Sequence, residues 1–147
     1  MEIEAQTKKL IYLAHPLSSR HHMRKWELEM EDKYQVNIIN PFYDLTFENV
    51  KKLDEGMELK EWMGQSSDEL VLDDIHVISG CDALIALIDG STSYGTIMEI
   101  AYAHALGIKV YAVVTNGYEN HPWLMYHCDE IYIDLEDLEE VFNNGTI

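Results

Sequence analysis

The sequence predicts a three-layer α/β domain built on a five-stranded parallel sheet, doubly wound in flavodoxin-like order. Three observations support this. Apolar, β-branched runs of strand length recur at residues 10–14, 36–39, 83–88, 109–114 and 130–134. Segments of helical period separate them, and strands that alternate with helices form a parallel sheet covered on both faces. No GxGxxG follows the first run and no Walker motif occurs, which weakens a dinucleotide- or triphosphate-binding version of the fold. In such a sheet ligands bind where strand C-termini meet helix N-termini.

Residues 1–8 read as a frayed lead-in and residues 9–147 as one domain, long enough to bury a core without disulfide or metal staples. The first strand, residues 10–14, ends in the loop His15-Pro16-Leu17-Ser18-Ser19, whose last serine is placed to cap a helix. That helix is predicted over 19–34, with Met23, Trp26, Met30 and Tyr34 as its apolar stripe. Its start carries Ser18, Ser19 and Arg20, and helix N–H groups beside hydroxyls and a guanidinium make an anion cradle; ordinary capping and solvated charge is the plainer alternative. A second strand at 36–39 is stopped by Pro41. Residues 41–56 lack a period and read as a loop over the active edge, with Phe42 and Tyr43 packing in it. Residues 56–64 form a short amphipathic piece whose Met57, Trp62 and Met63 suit an oligomer contact.

Residues 66–79 read as a helix opened by the capping box Ser66-x-x-Glu69. Leu70, Val71, Ile75, Val77 and Ile78 fall on one side of it and Asp74 falls among them, with Asp73 at or beyond the edge. A carboxylate within an apolar face must be paired, protonated or working. The third strand, 83–88, is followed by a loop rich in hydroxyls and glycine, Asp89 to Thr96, which suits close approach of a polar ligand. Ile97, Ile100, Ala101 and Ala105 then recur at helical spacing, Gly107 stops the helix, and 109–114 is the fourth strand. Glu99 lies in the first turn of that helix on this reading. Thr96-x-x-Glu99 fits a capping box, so a structural and a catalytic role both stay open. Thr115-Asn116-Gly117 is a turn, 117–129 a loop and short helix, 130–134 the fifth strand, and 135–144 an acidic closing helix.

The net charge of −17 argues against a nucleic-acid polymer as partner, since backbone binding needs a basic face. Arg20, Arg24, Lys25, His15, His21 and His22 share a stretch with no acid between Ala5 and Trp26, and one local positive site suits a small anionic ligand. Cys81 and Cys128 form no CxxC pair, and His76, His104, His121 and His127 show no ligand spacing. No disulfide framework, metal or cofactor is expected, and a reduced, cytoplasmic setting follows. Neither a membrane span nor a secretory signal is visible.

Tyr12-Leu13-Ala14, Asp74 eight residues before Asp82, the run Ala83 to Ile88 followed by Asp89-Gly90, Gly95-Thr96-x-x-Glu99-Ile-Ala-Tyr-Ala and Gly107-Ile-Lys-Val together resemble the nucleoside 2-deoxyribosyltransferase superfamily. The resemblance spans roughly residues 9–133, and the 74–110 portion is the specific part. It implies that Glu99 is the nucleophile at the anomeric carbon, Asp74 the second active-site acid, and Tyr12 the group that orients Glu99. It also implies at least a dimer, with sites near the subunit boundary. Asp89, Ser93 and Gly95, with Ser18, Ser19 and Arg20, become the substrate-binding candidates. Members acting on unphosphorylated nucleosides usually carry an aspartate six residues before the nucleophile, where this chain has Ser93; the related 5′-monophosphate N-hydrolases carry serine. The position before Leu124-Met125, polar in both branches, is Trp123 here, which leaves base recognition open.

The chemistry implied is cleavage of a nucleoside's N-glycosidic bond. A carboxylate on the open face of C1′ stabilises its oxocarbenium character and then bonds to it, giving a glycosyl-enzyme. Attack by water makes the enzyme a hydrolase and attack by a second base a transferase. The exchange of Asp for Ser93 removes a charge that repels phosphate and adds a hydroxyl, favouring hydrolysis of 5′-monophosphates. A non-catalytic module sensing a nucleotide-like ligand, and a NAD-cleaving α/β enzyme, are the alternatives.

Overall fold

The computed structural model describes residues 8–44, 67–91 and 93–147. Within them lie five strands, all parallel: β1 (Lys9–Ala14), β2 (Val36–Ile39), β3 (Ala83–Ile88), β4 (Lys109–Val114) and β5 (Glu130–Tyr132), ordered β2-β1-β3-β4-β5. This is the expected flavodoxin-like order. Its winding reverses between β1 and β3, which opens a crevice at the C-terminal ends of those two strands. The helices are α1 (Arg20–Lys33), α2 (Ser67–Ser79), α3 (Tyr94–Ala105), α4 (Pro122–His127), α5 (Leu135–Leu138) and α6 (Glu140–Asn143). The amphipathic piece at 56–64, most of the loop before it and the Ser66 cap lie outside the described residues.

Side chains two apart in a strand share a face, so each strand feeds two cores. Ile11, Leu13, Ile85 and Val113 pack against Met23, Trp26 and Met30 of α1 and Leu138, Val141 and Phe142 of α5 and α6. Tyr12, Ala14, Leu84, Ala86, Val110 and Ala112 pack against Ile78 of α2 and Ile100 and Ala103 of α3. Three layers result. Ile85 is fully buried in the central strand, and cutting such a side chain back to Ala costs about 2–5 kcal/mol. Because Tyr12 is an even member of β1, its ring faces the α2 and α3 layer; a one-residue slip of register would turn it to α1 instead.

Several expectations are corrected. α1 starts after a 3-10 turn at Leu17–Ser19, and Ser19 Oγ donates to Pro16 O at 2.9 Å instead of capping the helix. On α2, Val71 is half exposed, so the apolar face is narrower than the helical wheel implies. The core side of α3 is Thr96, Ile100 and Ala103; Ile97 and Ala101 turn towards α4, where they line a cavity. β5 stops at Tyr132 because Asp134 leaves the strand to cap α5, its Oδ1 accepting from Asp137 N at 2.7 Å. The closing helix is broken at Glu139 into α5 and α6.

The stop after α3 is as expected. Gly107 has φ +78°, a left-handed conformation that costs glycine little. Ile108 N donates to Ala103 O and Gly107 N to His104 O, both at 3.0 Å, the paired bonds of a Schellman motif that satisfy the last carbonyls of the helix.

Candidate active site

The site begins with the cap of α3. Ser93 Oγ accepts from Thr96 N at 3.3 Å and donates to Thr96 Oγ1 at 2.6 Å. The cap is therefore Ser93, not Thr96, and the helix starts three residues earlier than a Thr96 cap requires. Glu99 is displaced into the second turn, and its side chain accepts a hydrogen bond from the Tyr12 hydroxyl of β1 through Oε2. The capping-box reading of Glu99 is thus overturned.

Gly95 lies one turn before Glu99, and a Cβ placed there would sit 4.0 Å from Glu99 Oε1. A bare glycine keeps that approach to the second carboxylate oxygen open. α2 runs beside α3 and carries Asp74, whose Oδ1 is buried without a hydrogen-bond partner among the described residues. A buried, unsatisfied carboxyl oxygen is costly and calls for a role.

Burial dominates the electrostatics of the three groups. It raises Glu99 to about 8, against the pull of the Tyr12 O–H and with a further push from the charge of Asp74. It raises Asp74 to about 7, with Asp73 adding to the effect. The Tyr12 phenol is held far above its ordinary range by burial first, then by Glu99 and Asp74. The start of α3 does not hold Glu99 ionised, because Glu99 is a turn too deep and desolvation wins. Two acids with raised affinity for protons, one fixed by a phenol and under the charge of the other, titrate in linked steps.

Two cavities open nearby. The smaller, about 200 Å³, is lined by Pro16, Asp89, Ser91, Ser93, Thr96 and Asn116 among others. Ser18 Oγ meets Ser91 Oγ at 2.8 Å, tying the loop after β1 to the loop after β3, and Asp89 Oδ1 accepts from Ser91 N at 2.8 Å. The larger, about 420 Å³, lies between α3 and α4 and is lined by Ile97, Met98, Ala101, Tyr118, Trp123 and His127, among others. Ile88, Ile97 and Asn116 border both cavities, so they adjoin. Among the described residues, neither lining includes Tyr12, Asp74 or Glu99.

The expected residues therefore fall into groups. Tyr12, Glu99 and Gly95 come together, with Asp74 close enough for its charge to act on the first two. Ser93 and Asp89 line the smaller cavity and Ser18 joins its rim through Ser91. Arg20 Nη1 donates to Leu17 O at 3.1 Å, within its own turn. Trp123 stacks on His127 in the larger cavity, with ring centroids 5.8 Å apart. Asn116, which joins the two cavities, was legible only as a turn residue. Glu27, fully buried in α1, was missed although it stands within the apolar stripe of Met23, Trp26 and Met30, the same signal that marked Asp74. No group of three or more potential metal ligands occurs among the described residues, and no helix among them is long and apolar enough to cross a membrane.

A family model described as nucleoside 2-deoxyribosyltransferase matches residues 11–143. Among solved structures, a conserved protein from Enterococcus faecalis V583 is similar at 19% identity with TM-score 0.67, over 95% of this chain and 99% of that one. A 2-desoxiribosyltransferase from Leishmania mexicana is similar at 19% identity with TM-score 0.64, over 95% and 99%. A CMP N-glycosidase, BcmB, from Clostridium botulinum is similar at 20% identity with TM-score 0.59, over 92% and 99%. No curated protein sequence matches the chain.

Proposed function

The chain belongs to the nucleoside 2-deoxyribosyltransferase family, and on that premise we propose that it cleaves the N-glycosidic bond of 2′-deoxynucleoside 5′-monophosphates through a glycosyl-enzyme formed on Glu99. The observation that carries this reading is the Tyr12 hydroxyl on Glu99 Oε2, with Oε1 facing bare Gly95. One oxygen is held and the other is left to react.

In the first step Glu99, ionised, bonds to C1′ as the bond from C1′ to the base nitrogen breaks, and the base departs with the electron pair of that bond. Asp74 supplies the proton the leaving base needs; its raised affinity keeps that proton available near neutrality. As the Glu99 oxygen gives its electron pair to the new bond to C1′ and the carboxylate becomes a neutral ester, the Tyr12 O–H holds it in its attacking orientation. In the second step water attacks C1′, loses a proton to the now ionised Asp74, and frees Glu99. A second base in place of the water would turn the same intermediate to transfer.

The lean to a phosphorylated substrate is supported by hydroxyls. Ser91 and Ser93 line the smaller cavity and Ser18 reaches its rim. Ser93 donates its hydrogen to Thr96 Oγ1, so the donor left for a phosphate oxygen is whichever of Ser18 and Ser91 accepts from the other. Asp89 beside them has one carboxylate oxygen engaged by Ser91 N. Incubation with a panel of deoxynucleosides, their 5′-monophosphates and NAD, with and without an acceptor base, tests the reading by chromatography of released base. Release from monophosphates alone supports it. Base exchange would make it a transferase, nicotinamide from NAD a different enzyme, and binding without turnover a sensor.

We also propose that a second copy covers the outer faces of α3 and α4 in a homodimer. Tyr94, Met98, Trp123, Met125 and Tyr126 are each more than half exposed there, and exposed large apolar side chains gathered on neighbouring helices mark a protein contact. Sedimentation of Trp123→Glu against the parent chain tests this, with dissociation to monomers expected and an unchanged mass contradicting it. The two thiols, buried and unbridged, suit the cytoplasm.

A further inference from the structure

We infer that Glu27 is a positioning residue for substrate binding, acting through Asn40 on the His15 ring and on the turn at residues 41–44. The inference rests on the reaction proposed above, but the network it describes stands on its own geometry.

Glu27 points into the α1 side of the molecule with its side chain fully buried. Its neighbours on the same helix face, Met23, Trp26 and Met30, are apolar, so a Leu or Met would fill the site without desolvating a carboxylate. Burial raises Glu27 to about 7 despite hydrogen bonds from Asn40 and Arg24 that favour its charge. Natural cores avoid such a group unless it holds something in place.

What it holds is Asn40, itself fully buried at the end of β2. Asn40 Nδ2 donates to Glu27 Oε1 at 2.8 Å, which fixes the amide's orientation. Asn40 Oδ1 then accepts from Phe42 N at 3.0 Å, and Asn40 O accepts from Tyr43 N and Asp44 N. Asp44 closes the loop by accepting from Asn40 N at 2.8 Å. Arg24 braces the same unit from α1, reaching Glu27 at 3.2 Å and Asp44 at 3.1 Å, with its guanidinium 4.7 Å over the Tyr43 ring.

The network ends at the crevice. The Asn40 amide lies beside the His15 ring, and Phe42 packs on that ring with centroids 4.9 Å apart. His15 Nδ1 meets Pro16 O at 2.8 Å; a carbonyl only accepts, so Nδ1 carries the hydrogen and Nε2, buried and unpartnered among the described residues, carries the lone pair. Pro16 lines the smaller cavity. Pro16 O thus sets the tautomer of His15, Glu27 sets the ring's seat through Asn40 and Phe42, and His15 sets the loop that borders the proposed substrate.

Two variants and two readouts test this. Glu27→Met keeps the packing and removes the bond to Asn40; Glu27→Gln keeps an oxygen for Asn40. Expected for Glu27→Met are a KM raised about tenfold with kcat within about threefold, as for lost uniform binding, and displaced His15 imidazole nitrogen resonances. Glu27→Gln should restore both most of the way. Unchanged His15 resonances in a folded Glu27→Met protein overturn the inference, as does a loss of thermal stability in both variants with no change in KM, or failure of Glu27→Gln to fold. If the parent chain turns over no nucleoside or nucleotide, the reaction reading has failed, and the His15 resonances still decide the network.

Discussion

The hydroxyl of Tyr12, on the inner strand β1, donates to the carboxylate of Glu99, 87 residues further along the chain. β1 supplies a fully buried ring and α3 a carboxyl aimed back at the sheet, so neither partner's position follows from its own element alone. Burial of this pair beside Asp74 sets the pH behaviour of the site.

The profile of kcat/KM against pH should be bell-shaped with its maximum at roughly pH 7.5. The reaction needs Glu99 ionised and Asp74 protonated, the first raised to about 8 and the second to about 7, and the pair acts in its one-proton form between those limits. Steady-state rates measured from pH 5 to 10 check this. A maximum near pH 4, the range of unperturbed carboxyls, would show that the pair is solvated.

Tyr12→Phe should lower kcat/KM about 10- to 100-fold, the loss of one hydrogen bond to a charged group. Because the Tyr12 O–H favours the ionised carboxylate, its removal should raise Glu99 further and so move the alkaline limb of the profile, which Glu99 sets, upward. A loss of rate with the limb in place would mean that Tyr12 only supports packing.

Glu99→Gln should be inactive and more heat-stable than the parent chain at pH 8. The unfolded chain releases the Glu99 and Asp74 protons near pH 4, whereas the folded protein keeps them to about 8 and about 7. Between those values the native state binds more protons, so these groups make stability fall as pH rises. Calorimetry should find the variant's Tm higher by on the order of 5 °C at pH 8, with the gap closing towards pH 4. A gap that widens on acidification would reverse the sign.

Ser93→Asp separates phosphate recognition from catalysis. Aspartate caps a helix as well as serine does, so α3 should keep its start. The new charge should depress monophosphate turnover far more than that of the unphosphorylated nucleoside. Equal losses on both substrates would remove Ser93 from the phosphate reading.

Much of the scaffold was legible because strand period and turn residues are local. Ala83–Ile88 and Lys109–Val114 stand where their apolar runs end, and Gly107 stops α3 through its left-handed φ. Asp74 was legible from an acid on an apolar helix face, and Glu27 carried the same mark unread. Glu99 was harder. Ser93-x-x-Thr96 and Thr96-x-x-Glu99 are overlapping capping patterns, and only packing against β1 selects the first. The helical spacing of Ile97, Ile100 and Ala101 left their faces unassigned: Ile100 packs in the core, while Ile97 and Ala101 line the cavity beside α4. The adjoining cavities, joined at Asn116, arise from loops after β3 and β4 that meet only in three dimensions.

The covalent step is tested most directly by mass. A deoxynucleotide with a 2′-fluoro group, which slows formation and breakdown of an oxocarbenium-like centre, is incubated with the protein, quenched with acid, digested and mapped. The account predicts that the peptide containing Glu99 gains the mass of the sugar phosphate and that Glu99→Gln gains nothing. Sugar on any other residue, or full turnover by Glu99→Gln, would contradict it.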